Sequence, residues 1–229
     1  MDRFDVVLWD VDGTLLDFLA AEKAVIQSLF QEFGLGRCTD GMLARYSEIN
    51  REYWRKLERG EMSKQQILVK RFEDFFREEG LDVSLGEAFN AAYQVRLGDT
   101  IVFCDDSKAL VESLRGKVRQ YVVSNGTVTA QTKKLRRSGF DQLMDGVFLS
   151  EELGYEKPAI EFFDHVFREI QAPDKDRVLI VGDSLTSDME GGFRAGIKTC
   201  WYNPEGLPCA APEKIDYEIQ NLQEIKKIL

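Results

Sequence analysis

A chain of 229 residues with 44% hydrophobic content can bury a core in one large domain or two small ones. Its 40 acidic side chains against 30 basic ones give a net charge of -10, which leaves no uncompensated basic surface for a nucleic-acid backbone but does not exclude small anions. Cys38, Cys104, Cys200 and Cys209 are scattered without a C-x-x-C pair and His165 is the single histidine, so neither a zinc site nor a disulfide framework is expected. Strand sequence begins almost at once with no basic-then-apolar leader, and no apolar run reaches the length of a bilayer span, so the expectation is a soluble cytoplasmic protein with no membrane partner.

In chain order, Val6 to Trp9 is an apolar run of the kind buried on both faces of a parallel sheet, and it ends in Asp10, Asp12 and Gly13. Helical spacing follows. Leu19 to Phe33 suits a helix closed by Gly34, Asp40 opens a second that stops at Gly60, Ser63 caps a third before Gly80, and Ser84 caps a fourth through Leu97. From Thr100 strands and helices alternate: a helix opened by Asp106 or Ser107, a strand at Tyr121 to Val123, a basic helix from Thr127 to Ser138 ended by Gly139, and a strand at Val147 to Leu149. A helix starting at Pro158, a strand at Val178 to Val181, a helix from Gly191 to Ala195, a strand at Ile197 to Tyr202 and a last helix from Leu222 complete the pattern. This rhythm predicts an α/β fold, a Rossmann-like three-layer core with a parallel sheet, formed by residues 1–17 and 98–229. Residues 18–97 form an all-α four-helix insert, expected above the carboxyl edge of the sheet beside Asp10 and Asp12.

Open α/β sheets place ligands at the carboxyl ends of their strands, and chemically useful residues fall at four such ends. Asp10 and Asp12 share a face of an extended segment, so their carboxylates converge and call for a cation or a shared proton. Ser124-Asn125-Gly126-Thr127 offers a hydroxyl, an amide and free N–H groups before a helix N-terminus, a place for an anion and equally for an ordinary cap. Lys157 is held out of helical geometry by Pro158. Asp183 ends another strand, and Asp188 follows as a further acid or as the cap of the next helix.

Together these residues resemble the haloacid dehalogenase superfamily of phosphohydrolases. Asp10-Val11-Asp12-Gly13-Thr14 matches the first motif, Ser124 the second, Lys157 with Pro158 the third, and Asp183 with Asp188 the fourth, in order along nearly the whole chain. The insert after the first strand looks like the C1 helical cap, and Ile49 to Gly60 with Arg71-Phe72 is similar to the pyrimidine 5'-nucleotidases of the YjjG/YfnB group. The resemblance implies a Mg2+-dependent phosphomonoesterase, with Mn2+ as a substitute, that passes through an aspartyl-phosphate. It makes Asp10 the nucleophile, Asp12 the general acid and base, and Lys157 the charge-balancing cation that also contacts phosphate. Ser124 and Asn125 would bind phosphate; Asp10, the Asp12 carbonyl and Asp183 would hold the metal; Thr14 and Asp188 would orient groups from behind.

The implied substrate is a small phosphate ester, a nucleoside 5'-monophosphate with a pyrimidine base favoured. Phe18, Tyr46, Tyr53, Trp54 and Tyr93 are aromatics of which one or two at a rim would suffice to stack the base, though the core of the bundle is the commoner place for such residues. Phosphoglycolate or a sugar phosphate, with Arg51 or Arg71 meeting a carboxylate, remains open, as does a mutase. Asp12 argues against a dehalogenase, because halide leaves without a proton. Gly191 to Thr199 is not a P-loop, since Ile197 separates glycine from lysine and the segment runs from helix to strand. A non-catalytic phosphate-binding regulatory domain is the alternative of another class, and it would tolerate loss of a motif residue. Oligomeric state is not legible.

Overall fold

The structure, a computed structural model, describes residues 3–171, 174–209 and 211–229. Along the chain come β1 (Val6–Trp9), α1 (Phe18–Glu32), α2 (Asp40–Glu58), α3 (Lys64–Glu78), α4 (Gly86–Asp99), α5 (Ser107–Leu114), β2 (Arg119–Ser124) and α6 (Val128–Ser138). Then follow β3 (Gly146–Leu149), α7 (Ser150–Leu153), α8 (Ile160–Glu169), β4 (Val178–Gly182), α9 (Glu190–Ala195), β5 (Lys198–Tyr202), β6 (Tyr217–Ile219) and α10 (Ile225–Ile228). The chain divides into two compact units: one runs to Phe18 and resumes at Ile101, and the other is Leu19–Thr100. Among the described residues, no helix is long and apolar enough to cross a membrane.

The first unit is a six-stranded sheet in the order β3-β2-β1-β4-β5-β6, with every neighbouring pair parallel. Side chains alternate across a strand, so β1 feeds two cores. Val7 and Trp9 join Val122, Leu179 and Val181 on one face, under Leu110, Val111, Leu114 and Ile225; Val6 and Leu8 join Val123, Val178 and Ile180 on the other, under Phe162, Phe163 and Val166. Burial on both faces explains why β1 carries no polar residue. The order also fixes the ligand crevice, because the chain winds outward from β1 to β3 and then crosses back to β4 on the other side of β1. Such a reversal leaves an opening at the carboxyl ends of the central strands.

Several boundaries differ from the sequence reading for local reasons. Thr39, not Asp40, caps α2, its hydroxyl accepting from the Met42 N–H. Ser84 lies inside a short 3-10 turn capped by Asp82, and α4 opens only at Gly86. Pro158 does not begin α8: the Lys157–Pro158 peptide is cis, Ala159 is extended, and the helix starts at Ile160. The four-residue α7 and three-residue β6 are too short to carry a period of their own.

The helical unit has an aromatic interior. Tyr46 stacks on Phe72 with ring centroids 4.9 Å apart, and Phe30, Phe75, Phe76, Phe89 and Tyr93 close around them. This places Tyr46 and Tyr93 in the bundle core, and Tyr53 is buried as well, donating to Asp74 Oδ2 at 2.5 Å. Three of the five aromatics considered for stacking a base are thus interior residues, as burial of their apolar rings favours. Arg71 is equally inward: Nη1 donates to Asn50 Oδ1 at 2.6 Å, Nε to the Leu68 carbonyl at 3.3 Å, and the guanidinium lies 5.0 and 5.1 Å from the Phe72 and Tyr93 ring centroids. Asn50 in turn donates to Glu22 at 3.0 Å, and Glu22 also accepts from Ser47 at 2.8 Å. Burial raises the proton affinity of Glu22, and these donors oppose the rise.

Removing one member of a buried charged network leaves the others uncompensated. Arg71→Met should therefore lower the free energy of unfolding in a denaturant titration by about 3–5 kcal/mol. A loss below about 1 kcal/mol would show that the network relaxes without cost.

Candidate active site

The β1 ladder extends one residue past the strand, where the Asp10 N–H donates to the Val181 carbonyl at 2.9 Å. The chain then folds back, with Gly13 N–H to the Leu16 carbonyl and Leu16 N–H to the Val11 carbonyl, both at 2.8 Å. Gly13 has φ +94, and a Cβ there would lie 2.5 Å from Asp183 Oδ2, so backbone conformation and close approach both require glycine. Thr14 is buried and its hydroxyl donates to Asp183 Oδ1 at 3.3 Å.

Lys157 is 1% exposed and all three directions of its ammonium are used: Asp10 Oδ1 at 2.8 Å, Asp188 Oδ1 at 2.6 Å and the Val123 carbonyl at 2.8 Å. Its main chain is fixed by Asn125, whose Nδ2 donates to the Lys157 carbonyl and whose Oδ1 accepts from the Lys157 N–H, both at 2.8 Å. Asn125 thus uses both ends of its amide on Lys157, with Nδ2 also reaching Ser187 Oγ at 3.3 Å, contacts that the spacing of the sequence does not announce. Ser124 ends β2 with its hydroxyl accepting from the Gly126 N–H at 3.0 Å. Asp188 also accepts from the Ser184 N–H at 3.2 Å, within the turn Leu185–Met189.

Asp10, Asp183 and Asp188 each offer an oxygen within 4.8 Å of the others. Three hard oxygen donors so close, beside one ammonium, suit a hard divalent cation such as Mg2+. The electrostatics point the same way. Burial pushes the Asp10 carboxyl up to about 7, Lys157 opposes the rise, and the like charge of Asp188 adds to it. Asp183 is raised as well, by crowding that strips hydration and by Asp10 and Asp188, although its side chain stays open to solvent that screens part of both effects. Burial alone would lower the proton affinity of Lys157, but Asp10 and Asp188 outweigh it and hold the ammonium charged.

The Asp12 carboxylate is not in that cluster. It accepts from Gln131 Nε2 at 2.6 Å and from Lys134 Nζ, both side chains of α6. Neither residue is a candidate from sequence, where they read as ordinary positions of a basic helix; the only signal is their three-residue spacing just after Ser124-Asn125-Gly126. All the residues expected at the site, Asp10, Asp12, Thr14, Ser124, Asn125, Lys157, Asp183 and Asp188, belong to the first unit.

Residues 4–196 match the family description of a haloacid dehalogenase-like hydrolase. The chain belongs to this family. As one of its hydrolases it is an enzyme, and its relatives include the HAD-hydrolase YfnB of Bacillus subtilis, 37% identical over 230 residues that cover 100% of this chain and 97% of that one. The pyrimidine 5'-nucleotidase PynA of Streptococcus pneumoniae is 32% identical, covering 97% and 93%, and the pyrimidine 5'-nucleotidase YjjG of Escherichia coli is 28% identical, covering 99% and 98%. A crystal structure of YfnB from Bacillus subtilis bound to magnesium superposes with a TM-score of 0.93 at 35% identity, covering 100% and 99% of the two chains. The haloacid dehalogenase-like fold described above is therefore shared with YfnB.

The raised carboxyls of this hydrolase set a testable pH dependence. In chelator, the native chain retains a proton on Asp10 between about pH 4 and about 7, where the unfolded chain has released it. The native state then binds more protons than the unfolded one, so this contribution to stability is present below pH 4 and declines as pH rises to 7. Thermal melts with EDTA should show a Tm contribution that falls from pH 5 to pH 7.5 in the wild type and is flattened in Asp10→Asn. Identical pH slopes for the two proteins would place the Asp10 carboxyl back in the ordinary range.

Proposed function

We propose that this hydrolase is a magnesium-dependent phosphomonoesterase that carries the phosphoryl group on Asp10, and that its substrates are pyrimidine nucleoside 5'-monophosphates. The observation that carries the reaction class is the separation of two carboxylates only two residues apart: Asp10 lies against Lys157 and the acid cluster, Asp12 against Gln131 and Lys134. One acid is thereby suited to attack and the other to move protons. The substrate reading rests on PynA and YjjG, named as pyrimidine 5'-nucleotidases over almost the full chain. Of the aromatics considered for the base, Phe18 and Trp54 remain partly exposed.

Asp10 attacks phosphorus, and the bond to the ester oxygen breaks with its electron pair on that oxygen, which takes a proton from Asp12. Water then attacks the aspartyl-phosphate, Asp12 takes the water proton, and phosphate leaves as the Asp10 carboxylate is restored. Lys157 offsets charge on Asp10 throughout, Ser124 with the main chain at Asn125 binds phosphate oxygens, and Asp188 and Thr14 hold Lys157 and Asp183 in place. Mg2+, with Mn2+ as a substitute, would be held by Asp10, Asp183 and the Asp12 carbonyl beside Asp188, and it supplies neutralisation of charge between the carboxylates and phosphate.

Asp10→Asn should retain the fold and lose turnover by at least about a thousandfold, because an amide forms no phosphoryl adduct. Activity within tenfold of wild type would remove Asp10 from the reaction. Under one magnesium condition, kcat/KM for UMP, dUMP and dTMP should exceed that for AMP, phosphoglycolate and sugar phosphates. If phosphoglycolate or a sugar phosphate leads every pyrimidine nucleotide by tenfold, the nucleotidase reading falls and the phosphatase reading stands.

A further inference from the structure

Both oxygens of Asp12 are occupied by one helix face. Gln131 Nε2 reaches Oδ2 and Lys134 Nζ reaches Oδ1. The donors are three residues apart on α6, hence neighbours on its surface, and they are 0% and 1% exposed while Asp12 remains partly open to solvent. Burying two long polar side chains sacrifices rotamer freedom and hydration, so the position calls for a reason beyond packing. The Lys134 ammonium has the Phe18 ring on another side, with its centroid 5.4 Å away.

Two further observations separate this arrangement from one selected for stability. A Cβ at Gly126 would lie 2.2 Å from Gln131 Nε2 and 2.7 Å from its Cγ, so the glycine after Ser124 and Asn125 leaves the space through which Gln131 passes to Asp12. The Gln131 Oε1, fully buried, has no hydrogen-bond partner among the described residues. An orphan acceptor costs stability, and such costs are retained where the other end of the group has a task.

We propose that Gln131 and Lys134 are positioning residues for Asp12, a two-point clamp that fixes the proton-transferring carboxyl apart from the Asp10 cluster. The proposal rests on the phosphatase reading, in which Asp12 gives a proton to the ester oxygen as the phosphorus–oxygen bond breaks. Held at both oxygens, Asp12 neither rotates away from the leaving oxygen nor swings toward Lys157. The carboxylate left after the first transfer stays bonded to the same donors, oriented to take the proton of the attacking water.

The experiment compares kcat/KM, which reports the step through phosphorylation of Asp10, for p-nitrophenyl phosphate and for an alkyl phosphate, with magnesium and the full chain. The first leaving group needs little protonation and the second needs it. Gln131→Leu and Lys134→Met should lose about tenfold to a hundredfold on the alkyl ester and less than about threefold on the nitrophenyl ester. Lys134→Arg, which keeps a cation on α6, should recover most of the alkyl-ester rate. Losses equal on both esters, or absent on both, overturn the clamp. Asp12→Asn sets the reference: if it is itself unselective, the acid assignment falls and the clamp with it, whereas a selective Asp12→Asn beside unselective α6 variants removes the clamp alone. Should the apolar variants not fold, Gln131→Asn, one methylene shorter, carries the same comparison with the same two outcomes.

Discussion

The ammonium of Lys157 is the contact on which the sheet edge depends. It is buried, it bridges Asp10 after β1 and Asp188 after β4, and its third bond goes to the Val123 carbonyl in β2. One cation thus ties together the ends of three adjacent strands, each of which would otherwise present a carboxylate or a carbonyl to its neighbours. Breaking such a buried pair by removing one partner typically costs about 3–5 kcal/mol, because the remaining charge stays in place without its counterion. The two hydrogen bonds between the Asn125 side chain and the Lys157 main chain extend this constraint to the loop that opens α6. On the proposed reading, chemistry and local stability are consequently not separable at this position.

The same constraint explains why two acids in one short segment can differ. Asp10 continues the β1 ladder and is drawn inward by Lys157, whereas Asp12 lies past the strand, where Gly13 turns the chain, and meets the face of α6. A hydrogen-bonded strand fixes one carboxyl and a neighbouring helix fixes the other, so their surroundings are set by different elements. Acid and nucleophile roles are assigned by such differences in environment rather than by residue type.

How much of this is legible in the sequence follows from how each residue is delivered. Asp10 and Asp183 directly follow apolar runs that read as buried strands, and Lys157 stands before a proline, so each carries a mark in its neighbours. Gln131 and Lys134 carry only their spacing, and a helix face with an i, i+3 pair looks the same whether it meets solvent or a carboxylate. The aromatics of the helical unit mislead in the opposite direction: Tyr46, Tyr53 and Tyr93 have polar tips that suggest a ligand, yet the rings fill the bundle interior. Arg71 follows the same logic, its charge absorbed by Asn50 and two rings rather than presented outward. Composition reveals which groups are available; only packing reveals which are already engaged.

Charge at the strand ends makes the last connection. Asp10, Asp12, Asp183 and Asp188 face two buried ammoniums, Lys134 and Lys157, so the site holds an excess of two negative charges when all are ionised. The net charge of -10 offers no compensating field from the rest of the chain. A phosphate monoester entering such a site meets repulsion that neither ammonium relieves, since each is already paired at hydrogen-bond distance. Burial raises the proton affinity of Asp10, and the like charges of Asp188 and Asp12 add to that rise against the pull of Lys157. On the proposed reading a divalent cation brings this set to neutrality, which turns the metal requirement into a consequence of how many carboxylates the strands deliver, and makes Lys157 a partner of the acids first and of the phosphoryl group second.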